Sequence, residues 1–186
     1  VYIEECIVNY DDVLSFWFSE IAPSKWWIKD THFDALITDR FLALHKQANN
    51  CELFQWRNSA KGRLAEIIVL DQFSRNIFRD LPKAFSSDSL ALALSQEAIA
   101  LGKDKELNKI ERSFLYMPYM HSESVTIHEV ALELYNGNGI QSNVDFEIKH
   151  RNIILEFGRY PHRNSILDRA SKVEEIAFLK QPGSSF

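Results

Sequence analysis

The stretch Ser59 to Asp80, SAKGRLAEIIVLDQFSRNIFRD, decides the fold. Ser59 is a residue type that caps helix N-termini. Leu64, Ala65, Ile67, Ile68 and Leu70 then make the apolar face nearly continuous, so the spacing predicts a deeply buried helix. That helix drives straight into charge: Asp71, Arg75, Asn76 and Arg79 stand among Phe73, Ile77 and Phe78. If the helix continues, Asp71 and Arg75 are i,i+4 neighbours on one face. Exposed, such a pair contributes only about 0.2–0.5 kcal/mol. Buried, losing one partner costs about 3–5 kcal/mol because the other charge is stranded. Two readings follow, a structural ion pair that locks a helix end and a ligand-binding group.

Helical patterns flank this segment on both sides. Asp12 to Ile21 reads as a short helix that stops before Pro23. Phe33, Leu36, Ile37, Phe41 and Leu44 recur at spacings of three and four behind Asp30 and Thr31, giving an amphipathic helix to about Ala48. Ser86 or Ser87 caps the next, which passes through Leu90, Leu94 and Ile99 to Gly102. A fifth helix spans Asn108 to Met117 and breaks at Pro118. A sixth runs after His121 to Tyr135 and ends in the NGNG of residues 136–139, and a seventh goes from about Asn143 to Gly158. Ser171 and Glu174 form a capping box that opens a last short helix. β-branched residues fall singly or inside helical periods, so no strand is expected. The expected fold is all-α: one domain over residues 1–186, with antiparallel helix hairpins in an array of about eight helices. No clean 34-residue repeat is present.

A chain of 186 residues, 46% hydrophobic and 25% charged, is long enough for one core. Folding at this length buries roughly 70% of the surface, without need of disulfides or a structural metal. The net charge of −5 argues against a nucleic-acid or membrane-surface partner. Glu4 and Glu5 near the start and the lack of a long apolar run point to a cytoplasmic protein with no membrane span. Cys6 and Cys51 lack a C-x-x-C spacing and read as free thiols. Against the overall acidity, the stretch from His150 to Arg169 concentrates Arg151, Arg159, Arg163, Arg169 and His162 into a local basic patch.

Two further motifs break the amphipathic pattern. In YMPYMHSE, residues 116–123, Pro118 ends one helix and His121 stands at the start of the next, with Glu123 in its first turn. The positive end of the helix dipole there would keep His121 neutral and able to exchange a proton near neutral pH. In HRNIILEFGRYPHRN, residues 150–164, Tyr160 and Pro161 frame Arg159, His162, Arg163 and Asn164, restricting the conformations from which guanidinium and imidazole groups project. Arginine forks suit carboxylate or phosphate. The alternative for both motifs is structural, with a helix cap in one and arginines bridging to Asp71 or Glu123 in the other.

Trp17 with Phe18, LDQFSRNIFR, PYMHSE and FGRYPHRN, in this order, resemble the bacterial family known as domain of unknown function 924 over about Val13 to Phe186. The resemblance implies an all-helical, TPR-like fold, and the family carries no established activity. The positions that match its motifs are Asp71, Gln72, Arg75, Asn76, Arg79, His121, Glu123, His150, Arg159, His162, Arg163 and Asn164; His128 is not among them. The chain reads Leu167-Asp168-Arg169 where the family has Leu-Gly-Arg, which bears on a tight glycine turn near Asp168. It also reads Ser171-Lys172 where Ser-Thr is usual.

The leading expectation is that the three motifs converge in a cleft for a small anionic ligand. His121, His162, Asp71 and Glu123 are the acid–base candidates. Arg75, Asn76, Arg79, His150, Arg159, Arg163 and Asn164 are the ligand-binding candidates. No activated nucleophile is evident, since Ser74 and Ser122 lack an elbow motif and neither cysteine sits in one. The alternative is a TPR-like protein- or peptide-binding module whose groove is lined by Trp17, Trp26, Trp27 and Trp56. No cofactor or metal is expected. Glu147 and His150 have a Glu-x-x-His spacing without a second copy. His121 and His128 lie about 10 Å apart by helical rise, too far to share one ion.

Overall fold

A computed structural model of the protein describes residues 8–185. The elements are α1 (Tyr10–Ser15), α2 (Thr31–Asn49), α3 (Ala60–Ile68), α4 (Ser74–Ile77), α5 (Asp88–Ala100), α6 (Lys109–Met120), α7 (Val125–Asn138), α8 (Gln141–Phe157) and α9 (Val173–Leu179). A π-helical turn, Val69–Phe73, joins α3 to α4, so the described residues form eight helices and no strand. The all-α expectation holds.

The α3–α4 rod is the centre of the molecule, because the near-continuous apolar face read from the sequence needs cover on all sides. Leu64 to Leu70 and Phe73 are buried. α1, α2, α5 and α6 all pack on the rod. Polar cross-links give the directions. His45 meets Ser74 while Asp34 meets Arg79, so α2 runs antiparallel to the rod. Arg63 meets Glu97 while Arg75 meets Asp88, so α5 does too. Lys61 meets Glu111 while Asp71 meets His121, so α6 is parallel to it. α6 and α7 form an antiparallel hairpin, with Asn138 donating to the Lys109 carbonyl at one end and His128 to the Ser122 carbonyl at the other. α8 then folds back on α7.

Gly62 in α3 permits a close approach, since a Cβ there would collide with the Trp56 carbonyl. Trp17 is buried against Phe33, Phe73 and Phe114 and cannot line a groove; Trp27 alone of the four tryptophans proposed for one is exposed.

Several boundaries differ from expectation, each for a local reason. The first helix starts at Tyr10, because Asn9 and Asp12 form a capping box, and ends in a π-helical turn, Phe16–Glu20. Pro118 does not stop α6. It lies in the last turn, within three residues of the helix end, and near it the Leu115 carbonyl is taken by Ser95 Oγ. Ser87 precedes α5 as expected, yet its hydroxyl donates to Asn49 Oδ1 at 2.8 Å rather than capping. α7 continues through Gly137 to Asn138, and only Gly139, at φ +73°, turns left-handed. α8 begins at Gln141, two residues before Asn143, and stops at Gly158 as expected, with φ +69°. The last capping interaction is shifted by one residue: Glu175 accepts from the Lys172 N–H, and Ser171 takes Asn164 instead. Asp168 holds the left-handed conformation, φ +52°, that a glycine would supply, so the turn survives the departure from Leu-Gly-Arg. Cys51 is an exposed free thiol; Cys6 lies outside the described residues.

Candidate functional site

Asp71 sits in the π-helical turn at the heart of the rod and is completely buried. Such turns aim side chains where an unbroken α-helix would not, and they recur at functional sites. Asp71 Oδ1 lies 2.7 Å from His121 Nδ1, and Oδ2 accepts from Gln72 at 2.6 Å. Arg75, one turn on, donates to the Asp71 carbonyl at 2.7 Å and forks onto both Asp88 oxygens at 3.0 Å. Burial opposes ionisation of Asp71, but His121, the Arg75 guanidinium and these hydrogen bonds outweigh it and hold the carboxyl well below the usual carboxylate range.

His121 is the C-cap of α6, and α7 starts only at Val125. The expected helix-dipole argument is therefore wrong in sign, because a helix C-terminus favours the imidazolium. What lowers the His121 pKa is burial, followed by Arg75, and these prevail over the Asp71 charge. A neutral His121 donates Nδ1–H to the Asp71 carboxylate, which can only accept, and so keeps Nε2 unprotonated.

Three consecutive carbonyls at this helix end are each taken by a side chain from elsewhere. Tyr160 Oη donates to Met120 O at 2.6 Å, Arg163 Nη2 to His121 O at 3.1 Å and His128 Nε2 to Ser122 O at 2.9 Å. A helix end leaves such acceptors open, and filling them fixes the turn that carries His121. His128 Nδ1 in turn meets Glu147 Oε1 at 2.6 Å, both residues being fully buried. Since Nε2 must carry a hydrogen to reach a carbonyl, one proton lies between Nδ1 and Glu147, and burial raises the Glu147 pKa. The sequence reading set His128 aside. The signal that would have found it was Glu147, an acid 19 positions away that the sequence reading weighs only as half of a Glu-x-x-His metal pair and sets aside with it.

Beside His121 opens a cleft of about 350 Å³, lined on its polar side by Ser86, Asp88, Ser89, His121, Ser122, Glu123 and Arg163. The Arg163 guanidinium lies against the rings of Phe85 and Tyr160, 4.7 and 4.6 Å from their centroids, and burial followed by Arg75 lowers its pKa. Glu123 receives Arg169 through both oxygens and the Tyr160 N–H at 2.8 Å. Burial raises its pKa, but Arg169 and that N–H outweigh it and leave the carboxyl below its ordinary value. It is no proton donor at neutral pH.

The motifs thus converge only in part. Asp71, Arg75, His121, Glu123 and Arg163 meet around the cleft, joined by Asp88, which lay outside every motif. Asn76 and Arg79 turn away to Asp34 on α2, tying two helices together. Arg159 pairs with Glu175 at 2.6 Å, and Asn164 donates to Glu175 and Ser171, so both dock α9. His150 Nδ1 donates to Phe146 O at 2.8 Å and its ring packs edge-on to Tyr160. His162 also packs on Tyr160, its ring 5.6 Å from the tyrosine ring. Burial brings the pKa of each of these two histidines down to about 3, and neither lines the cleft. The expected basic patch is neutralised residue by residue, with Arg151 on Glu129, Arg159 on Glu175, Arg163 near Asp88 and Arg169 on Glu123. Among the described residues no helix is long and apolar enough to cross a membrane.

The profile of the bacterial proteins of unknown function designated DUF924 matches residues 13–183, and the chain belongs to that family. A solved structure of a protein of unknown function from Agrobacterium tumefaciens is similar, at 36% identity over 92% of this chain and 96% of that one, with a TM-score of 0.87. The comparison with curated proteins gave no match.

Proposed function

We propose that the cleft beside His121 binds a small anionic ligand and that His121, oriented by Asp71, exchanges a proton with it. The observation that carries this reading is the 2.7 Å contact between Asp71 and His121 at the edge of a 350 Å³ cleft that also holds the guanidinium of Arg163. A buried carboxylate that orients one imidazole nitrogen leaves the other as a base near neutral pH, and a cavity of this size admits a metabolite. Arg163 is the anion donor, Arg75 and Asp88 hold the dyad in place, and Ser122 offers a hydroxyl. Structural roles account for Arg79, Asn76, Arg159 and Asn164. Native mass spectrometry of the protein taken directly from cells tests the reading. A retained small molecule that is lost in His121→Gln, in a variant that remains folded, supports it. Retention that is indifferent to His121→Gln and Arg163→Lys overturns it.

A further inference from the structure

Arg163 is only 5% exposed, yet it uses little of its hydrogen-bonding capacity. Nη2 donates to His121 O, Nη1 reaches Asp88 Oδ2 at a loose 3.5 Å, and the buried Nε has no partner among the described residues. The rings of Phe85 and Tyr160 pack against the guanidinium carbon, so a ligand meets the group through its N–H edge. Two coplanar oxygens satisfy that geometry, as in a carboxylate.

Charge restricts the ligand further. Asp71, Asp88 and Glu123 are matched by Arg75, Arg163 and Arg169. Arg163 is the one cationic side chain among the described residues that line the cleft. The N-terminus of α5, where a phosphate would otherwise find backbone donors, already carries Asp88. A dianion would therefore face Asp88 and Glu123 without a counter-charge, whereas a monoanion needs one compensating proton. The group placed to take it is His121. The charged and titratable groups around His121 are Asp71 and Arg75 on the rod, Asp88 on α5, Arg163 beyond α8, Glu123 in its own turn and His150 on α8. Ser86 and Ser89 add hydroxyls beside Asp88, and the remainder of the wall is apolar, formed by Pro82, Phe85, Leu92, Pro118 and Leu167.

We infer that the ligand is a small organic monocarboxylate with an apolar body, held edge-on by Arg163 and bound together with one proton that settles on His121. This rests on the cleft being an anion site, as argued above. Calorimetric titration of the full chain with hexanoate and, separately, with inorganic phosphate tests it. Hexanoate is expected to bind and phosphate not to compete. Hexanoate affinity should fall about tenfold per pH unit as the pH rises above neutrality, because the proton must be taken up with the ligand. Arg163→Lys, which keeps the charge and loses the fork, should weaken binding by more than about tenfold. His121→Gln, which cannot take up the compensating proton, should weaken hexanoate binding at and below neutral pH and flatten its pH dependence, and it serves if Arg163→Lys does not fold. Phosphate binding in preference to hexanoate would keep the anion site and overturn the carboxylate. Binding of neither would overturn both, and a pH-independent hexanoate affinity in the unmodified chain would remove the proton from His121.

Discussion

Asp71 Oδ1 and His121 Nδ1 lie 2.7 Å apart although 50 positions separate them in the chain. The contact bridges the π-helical turn of the central rod and the end of α6, so it fastens two parallel elements at the same level as the cleft. Replacing Asp71 by Asn removes the carboxylate while Arg75 keeps Asp88. The expected loss is about 1.5–3 kcal/mol, the range for a hydrogen bond to a charged group, measured by urea unfolding. The imidazole 15N shifts of His121 should change with it, since its Nδ1 hydrogen no longer faces an obligate acceptor.

His128 and Glu147 hold the same turn from the other side. Glu147→Ala leaves His128 Nδ1 buried without its acid and should cost about 3 kcal/mol or more, whereas Glu147→Gln, which can still bond Nδ1, should cost markedly less. Equal destabilisation by the two variants would show that volume, not the shared proton, matters there.

Tyr160→Phe removes one hydroxyl that donates to Met120 O and touches His128 Nε2. A loss of about 1–3 kcal/mol is expected, because a buried carbonyl is left unsatisfied. If the turn is as tightly held as the three filled carbonyls indicate, hydrogen exchange in residues 120–123 should accelerate more than in α2.

Acid should unfold the protein early. His45, pushed down to about 4 by burial with Lys83 contributing, and His150, at about 3, are neutral in the fold but protonate near 6.5 in the unfolded chain. The unfolded state then binds more protons, so the stability these groups contribute is present above about pH 6.5. It is lost as the pH falls toward 4, by about 1.4 kcal/mol per unit for each. Unfolding free energies across this range check it, and His45→Gln should reduce the slope.

Asp168 occupies a left-handed backbone without glycine's freedom. Asp168→Val should destabilise by more than about 1 kcal/mol, while Asp168→Gly should stay within about 0.5 kcal/mol of the parent, strain relief being offset by a freer unfolded chain. Thermal unfolding of the pair distinguishes backbone strain from any side-chain role.

The helices were legible because capping residues and apolar spacing act within a few positions. Ser59, Asp30 and Gly158 do locally what their residue types require. The same holds for the buried rod, whose apolar run could not sit at a surface. What local rules could not give is which acceptor each arginine finds. Arg75 and Arg79 stand four positions apart in one motif, yet one goes to Asp88 and the other to Asp34, because α4 ends at Ile77 and Arg79 leaves the helical line that carries Arg75. Arg159 and Arg163 likewise divide between α9 and the cleft. Asp88 was invisible as a site residue, since an acid at a helix start has an ordinary local explanation.

The wide turn at Val69–Phe73 also sets a limit on how the gene can change length. Excising one amino acid there would let the rod become regular α-helix, an intrinsically easier conformation, with the segments on either side close to their present register, since the wide turn takes up one surplus residue. Asp71 lies inside that turn and would lose the direction from which it meets His121, so a deletion that favours the isolated helix would undo the contact the cleft depends on.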